Sequence, residues 1–555
     1  MEIKKRNHII FNIVAIICIV LFCASISPKT LQNDTYYTIK LGEYLMENGI
    51  SDLTEDPFSV HDLPYTYPHW LYNIGVYLIY DNFGHVGIYA STMILAALLG
   101  VSVYMLCSKV SRNKVISFIF TICTIYLIKD FIAARAQLVT FLLFTLTVYS
   151  IEMFLETHKK RYAVYLLIIP LLIANLHCAV FPVYFVLFLP YIAEFILLTI
   201  IDLDLDERLF YLIFRVLKRV VKKEESKNKF DRVMKNINAN IENRHKKREI
   251  LKENPYKVIV KKDKFVIILI LIALVAGLTG FINPAGTGAY TYLYKSVQGN
   301  TMNSINEHQP MILIHNKEFL MSLVLFLSIL VFTDTKIKLS DLFMLLGLTY
   351  LTFQTKRQIT MYALLCVPIL VKLIASMFEK YDSKTCDKLL KFGSSLFGVI
   401  VIVSSFVTIS AKNIEPKLKT NDYVDTWDYP VEASEWILSN LDLKTIKLFN
   451  QYNYGSYLLF KGIPVFIDSR ADVYDPQFYN DKRPELVGKD LFSDALGIDG
   501  LSENYKNKFP DYGVTHAILY SNSKLAMILK SDPDYNIIYD EGHFMIFERI
   551  IEDSY

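Results

Sequence analysis

Residues 33–72 read NDTYYTIKLGEYLMENGISDLTEDPFSVHDLPYTYPHWLY, directly after the first strongly apolar segment of the chain. Asn33, Asp34 and Thr35 have helix N-cap chemistry, and Gly49 is a good stop. Between them Tyr37, Ile39, Leu41, Tyr44 and Leu45 make a mixed apolar surface. That pattern predicts a helix lying in a membrane interface. The turn-like DPFS (56–59) and the aromatic PYTYPHWLY (64–72) follow. Tyr and Trp belong at headgroup level. The stretch therefore predicts an acidic, aromatic loop lying flat on a membrane, with the Asp34 carboxylate at the lipid–water boundary.

The flanking sequence supplies the membrane. With 53% hydrophobic residues, much of the chain must sit in lipid. Spans of about 20 apolar residues are the unit to look for. Eleven segments qualify, roughly 8–27, 86–107, 115–128, 138–155, 163–176, 180–201, 265–282, 318–333, 340–354, 358–377 and 392–411. The first lacks a small-residue cleavage pattern and reads as a span rather than a cleaved signal. Lys and Arg placement orients them. MEIKKRN, SKVSRNK (108–114), THKKRY (157–162) and the basic block 208–264 all fall on one side, which is then the cytoplasm. An odd number of spans sends the 28–85 loop and residues 412–555 outside a cell membrane.

The net charge of +3 hides this asymmetry. The basic insertion at 202–264 contains RLFYLIFRVLKRVVKKEESKNKF, a composition that also suits nucleic acid. Its place beside a membrane favours anionic lipid headgroups or a plain solvated loop instead. None of the seven cysteines lies in the outer loop or after residue 411, so the outer parts must fold by core packing alone. No zinc-ligand spacing exists. After 411, TIKLFNQ, PVFIDSR, THAILYS, YNIIYD and FMIFER read as strands, and VEASEWILSNL, GSYLLFK and SKLAMILKS as helices. Such alternation predicts a small α/β domain. The fold class is a polytopic α-helical membrane protein with a C-terminal extracytoplasmic α/β domain.

Asp34 is the leading candidate for chemistry, as a general base taking a proton from an acceptor hydroxyl. The competing reading is a helix cap, and a helix N-terminus suits a carboxylate in either role. Asp56, beside Glu55 and before Pro57, reads as a turn former or a second carboxylate. Arg135, Lys356 and Arg357 sit at the outer ends of spans, where charge is costly and is usually paired or functional. With His177, Arg135 and Arg357 would suit the phosphate of a polyprenyl carrier. Pairing with Asp130 is the plainer alternative. His69, His177 and the adjacent Glu307 and His308 are weaker candidates for binding. Asp468, Arg470 and Asp472 in FIDSRADVY read as a salt-bridged turn or a sugar site. No nucleophile elbow, HExxH or P-loop occurs.

The order of these pieces resembles the GT-C superfamily of polytopic membrane glycosyltransferases, in a bacterial branch. The pieces are NDTYYTIKLGEYLMENG, DPFS, HWLY, ARAQL, NLH, NPAGTGAY, INEHQP and KRQITMYALL, with the tail NQYNYGSYLLFKGIPVFIDSRADVY. They cover most of the chain apart from 208–264. The resemblance implies a sugar donor linked to polyprenyl phosphate. It also implies inverting transfer to an envelope glycan, lipid or protein acceptor, with the family's catalytic carboxylate at Asp34. Ala136 stands where members often show Pro, and His308 where they often show Trp, so a second catalytic acid is left unassigned. A divalent cation is left open. The rival reading is a non-catalytic assembly or carrier-binding protein of envelope polymer biogenesis. A transporter is disfavoured, because no paired broken helices repeat in two halves.

Overall fold

The computed structural model describes residues 2–50, 56–221, 224–253, 255–299, 305–420, 422–501 and 505–550. Glu55 lies outside them. In chain order the helices begin with α1 (Glu2–Ile26), α2 (Asn33–Asn48), α3 (Trp70–Ser111), α4 (Lys114–Leu127), α5 (Ala136–Thr157) and α6 (Lys160–Leu176). Next come α7 (Phe181–Val186), α8 (Leu189–Leu203), α9 (Leu205–Val220), α10 (Glu224–Glu253), α11 (Val266–Leu278) and α12 (Gly288–Gln298). The remaining helices of this part are α13 (Lys317–Phe332), α14 (Leu339–Gln354), α15 (Ile359–Tyr381), α16 (Ser383–Ser394) and α17 (Leu396–Lys419). A two-residue parallel pair, β1 (Val258–Ile259) with β2 (Ile337–Lys338), ties the chain before α11 to the chain before α14.

Each of the eleven predicted apolar segments is mainly helical, the one at 180–201 crossing a turn at Leu187–Phe188 and the one at 392–411 a break at Ser395. Among the described residues six helical stretches are long and apolar enough to cross a membrane: Lys5–Ile26, Trp70–Ser111, Ala136–Thr157, Cys178–Leu203, Lys356–Tyr381 and Leu396–Lys419. Lys114–Leu127, Val266–Phe281 and Leu339–Gln354 are apolar but shorter. The span predicted from residue 86 differs most. Its helix starts at Trp70 and breaks at Gly84, whose φ of 58° and ψ of −153° are non-helical. Such backbone suits glycine and few other residues. The aromatic HWLY segment is therefore the first turn of a helix that bends before entering the bundle.

The C-terminal part is a small α/β unit. Its sheet holds β3 (Leu448–Asn450), β4 (His516–Tyr520), β5 (Tyr535–Asp540) and β6 (Phe544–Arg549) in the order β3-β4-β6-β5. β3 and β4 run parallel and the other pairs antiparallel. Helices α18 (Val431–Asn440) and α19 (Gly455–Phe460) match two of the predicted helices, and Lys524–Leu529 matches the third. PVFIDSR joins no sheet. Val465 makes an isolated parallel bridge with Ser59 instead. Val60 N–H donates to Val465 O at 3.0 Å, and Val465 N–H donates to Phe58 O at 2.9 Å. The partner of this segment is thus the outer loop, some 400 positions away, which local pattern cannot reveal.

That pairing explains where α2 lies. The predicted helix exists, and Gly49 ends it with φ of 80°. It does not lie open on a membrane surface. Tyr36, Ile39, Leu41 and Leu45 are at most 2% exposed. Tyr36 packs edge-on against Tyr429 and Tyr457, with ring centroids 4.9 and 5.1 Å away. These residues belong to one hydrophobic core shared by α2, the outer loop and the C-terminal unit, while a second core fills the bundle. On its other side α2 meets α3 at Gly42. A Cβ there would stand 2.2 Å from Asn73 O and 2.6 Å from Tyr77 Cβ.

Helix propensity alone favours alanine over glycine by about 1 kcal/mol. Overpacking against backbone costs about 1–3 kcal/mol. Gly42→Ala should therefore lower the melting temperature in detergent. An unchanged or higher value would mean that the two helices do not approach this closely.

Candidate functional site

Asp34 occupies the first turn of α2, but it is not the cap. Gln32 holds that position with extended backbone and no side-chain cap bond. The start of the helix is fixed otherwise. Thr35 is fully buried and its hydroxyl donates to Ala134 O at 3.2 Å. Asn33 Nδ2 donates to Tyr452 O at 3.1 Å, which ties this turn to the C-terminal unit. Relieved of capping, the Asp34 carboxylate meets Arg135, with Oδ2 3.1 Å from Nε. Both side chains are 26% exposed. Glu307 Oε1 stands 4.0 Å from Arg135 Nη1 and is 43% exposed. Arg135 therefore lies between two carboxylates. Tyr37 and Tyr452 adjoin the pair. Burial pushes both phenols up, and the Asp34 charge pushes in the same direction.

A second group adjoins the first. Arg357 sits in a short helical turn at the head of α15. Its Nη1 lies 3.4 Å from His308 Nε2. With its amide turned to face donors properly, Gln137 accepts from Arg357 Nε at 2.8 Å and from Nη2 at 3.2 Å. The turn that carries Glu307 and His308 is stapled alongside. Lys356 Nζ donates to Asn306 Oδ1 at 2.6 Å, and Lys356 N–H donates to Gln309 O at 2.9 Å. Among the described residues no carboxylate pairs with Arg357. Its positive charge is held by neutral groups, unlike that of Arg135.

His69 and His177 complete this group, with ring centroids 4.8 Å apart. His177 Nδ1 and Thr140 Oγ1 are 2.7 Å apart. The loop between α6 and α7 is tied to the aromatic segment by Cys178 N–H donating to Pro68 O at 2.9 Å and Trp70 Nε1 donating to Asn175 Oδ1 at 3.2 Å. Burial pushes the His69 imidazole down to about 4, against the raising effect of Asp34 and with the lowering effect of Arg357. Burial likewise pushes His177 down, helped by His69 and Arg357. At neutral pH the two rings can donate hydrogen bonds to a phosphate but add no charge. Asp34 and Arg357 both act on His69 electrostatically, and His69 and Arg357 act on His177.

Asp56 lies elsewhere. It is 1% exposed, and both its oxygens are taken by Arg470: Nη1 to Oδ1 at 3.1 Å and Nη2 to Oδ2 at 2.9 Å. The same guanidinium also holds Asp468, with Nη2 donating to Oδ2 at 2.7 Å. Tyr474 Oη donates to that oxygen at 2.6 Å. Asp56 thus serves as a buried clamp between the outer loop and the C-terminal unit, not as a second carboxylate beside Asp34. Asp468 and Arg470 form the salt-bridged turn. Asp472 accepts from Tyr292 Oη and Ser296 Oγ of α12, both at 2.9 Å.

Gln137, Thr140, Tyr37 and Tyr452 are site residues that sequence reasoning missed. For Gln137 a signal existed in ARAQL, where a polar residue opens an apolar helix beside an arginine. Tyr452 carries no such mark. Asp34 and Glu307 both face Arg135, and among the described residues no three ligating side chains converge.

No protein-family model matches the chain, and no curated protein matches it in sequence. Among solved structures it is similar to the oligosaccharyltransferase of Archaeoglobus fulgidus tethered with an acceptor peptide containing the NVT sequon. Identity there is 12% over 93% of this chain and 69% of that one, with a TM-score of 0.48. It is also similar to the archaeal oligosaccharyltransferase AglB from Archaeoglobus fulgidus in complex with an inhibitory peptide and a dolichol-phosphate. That likeness is 12% identical over 98% of this chain and 74% of that one, with a TM-score of 0.49. Likeness at this level assigns no activity or site residue.

Proposed function

We propose that the chain is an inverting membrane glycosyltransferase that moves a sugar from a polyprenyl-phosphate carrier to an envelope glycan, lipid or protein acceptor on the outer face. The observation that carries this reading is the pairing of unlike charges in one site. A partly exposed carboxylate, Asp34, and a guanidinium, Arg357, that no described carboxylate neutralises both act electrostatically on the His69 ring. In the proposed step Asp34 takes the proton of an acceptor hydroxyl. The freed oxygen attacks the anomeric carbon. The bond from that carbon to the phosphate oxygen breaks, and its electron pair leaves with polyprenyl phosphate. Arg357 meets the charge developing on that oxygen, with the neutral His69 and His177 as hydrogen-bond donors. Arg135 is already occupied by Asp34 and Glu307, so it positions the base rather than the phosphate.

Removing a donor that stabilises a developing oxyanion costs about 10²–10³ in kcat. Arg357→Ala should lose transfer by that order in a vesicle assay with a short-chain polyprenyl-phosphate sugar. Arg357→Lys should recover only part, because an ammonium cannot match the planar fork. Full activity in Arg357→Ala would remove the phosphate role. The Asp34–Arg135 ion pair favours a second reading, a carrier-binding protein in which Asp34 is only a counter-ion. In that case the purified protein binds the carrier but releases no product.

A further inference from the structure

The basic insertion contains a helix whose three sides differ. α9 follows the Cys178–Leu203 span directly. The corner is Asp204, buried, with φ of 45° and ψ of 44°. A left-handed Asp turns the chain sharply at the span's end. That end is opposite to His177, because a helical stretch of this length extends roughly 39 Å at about 1.5 Å per residue. The face of the protein that bears α9 is therefore the one away from the candidate site.

Helical spacing sorts the residues of α9. Glu207, Tyr211, Phe214 and Lys218 share one side and are all half-buried. This side meets α10: Phe214 lies 5.9 Å from Phe230 between centroids, Arg244 Nη2 lies 3.0 Å from Glu207, and Lys218 Nζ lies 2.5 Å from Asp231. Arg248 pairs with Asp204, which pins α10 back to the corner. The opposite side carries Leu209, Leu212, Ile213, Val216, Leu217 and Val220, which are 42–73% exposed. Between the two sides run Arg208, Arg215 and Arg219, all exposed and with no carboxylate partner among the described residues. Arg244 also takes up Asp206, at 2.7 Å, on the edge of α9 opposite the three arginines.

We infer that α9 lies in the plane of the bilayer, at the end of the α8 span. Its apolar side sits among acyl chains, and Arg208, Arg215 and Arg219 rest on anionic phospholipid headgroups. The continuity of the apolar side with a span, and the unpaired basic edge beside it, select this occupant. α10 is held above the helix, away from lipid. The inference goes beyond the proposed transfer activity and stands whether or not the chain transfers sugar.

The full-length protein tests it, reconstituted in phosphatidylcholine vesicles and in vesicles that also carry phosphatidylglycerol. Single cysteines at Leu209, Ile213, Val216, Val220 and Lys218, in a Cys123→Ser/Cys386→Ser background, take spin labels for collision measurements. In vesicles with phosphatidylglycerol the first four positions should collide freely with oxygen and several-fold less with a water-soluble nickel chelate, and position 218 should do the reverse. R208Q/R215Q/R219Q should raise nickel collision at the four apolar positions several-fold. Three outcomes would overturn the inference. One is nickel access at all positions in both vesicles. Another is the same depth without phosphatidylglycerol and without the arginines, which removes the anionic headgroup. The third is exclusion of both probes, which would show a protein partner or a second copy covering the helix.

Discussion

Asp34→Asn should cut sugar transfer by about 10²–10⁴-fold, the usual contribution of a positioned general base. The protein should still insert, fold and bind the carrier. Asparagine keeps the shape of the side chain beside Arg135. It cannot take a proton from a hydroxyl. The rival explanation for any loss is the broken ion pair. Asp34 and Arg135 are each about a quarter exposed, and such a pair is worth about 0–1 kcal/mol. That is too little to unfold the site.

The two causes separate in a double variant. If Asp34 serves only as a counter-ion, Arg135→Gln should relieve the stranded charge and restore function in Asp34→Asn/Arg135→Gln. If Asp34 is the base, the double variant should be at least as inactive as the single one. Product release measured on protein of normal melting temperature decides between them. Wild-type turnover in Asp34→Asn would end the catalytic assignment.

The helix start at Asp34 and the turn at Asp56 are legible in the sequence, whereas the ion partner of Asp56 is not, because of what each depends on. An Asp at a helix start after an apolar segment is a local pattern, and local patterns survive folding. Its neighbour Arg135 also stands at the end of an apolar helix, where charge is conspicuous. Asp56 and Arg470 are 414 positions apart, and nothing near either residue announces the other. The same holds for PVFIDSR, a strand-like run that spends its backbone on the outer loop. The eleven apolar segments were readable because a bilayer imposes length and composition together. The bend at Gly84 was not, since HWLY reads equally well as interface loop or helix start. The basic insertion reads from sequence as a solvated loop or a partner of anionic headgroups. Its two helices show only when Phe214 and Phe230 are seen to face one another.

Arg470→Met should destabilise the half of the protein built from α2, the α2–α3 loop and the C-terminal unit by about 3–5 kcal/mol, the cost of removing one member of a buried charge group. Arg470 is buried, with Asp56 and Asp468 both on its guanidinium. Burial opposes its charge, but the two carboxylates hold it protonated well above the ordinary arginine range. Without it, two buried carboxylates face each other with no cation. Phe58 and Tyr65, over which the guanidinium sits at 5.8 and 5.1 Å, also lose their partner. Arg470→Lys should fare little better, because one ammonium cannot fork onto both carboxylates. Adding Asp56→Leu to Arg470→Met should recover part of the loss, since one stranded charge is gone. Limited proteolysis of the outer face and melting in detergent would read the effect.

A functional consequence follows from position. Asp56 belongs to the loop that leads from α2 into α3, and Tyr452 of the C-terminal unit sits beside Asp34. Unclamping the unit should therefore lower transfer even though Arg470 touches no substrate. It should do so with the loss growing as temperature rises, whereas the loss in Asp34→Asn should be similar at every temperature. A cold-active, heat-sensitive Arg470→Met protein would place the clamp in support of the site. An Arg470→Met protein as stable as its parent would show that the buried charges contribute nothing to holding the two halves together.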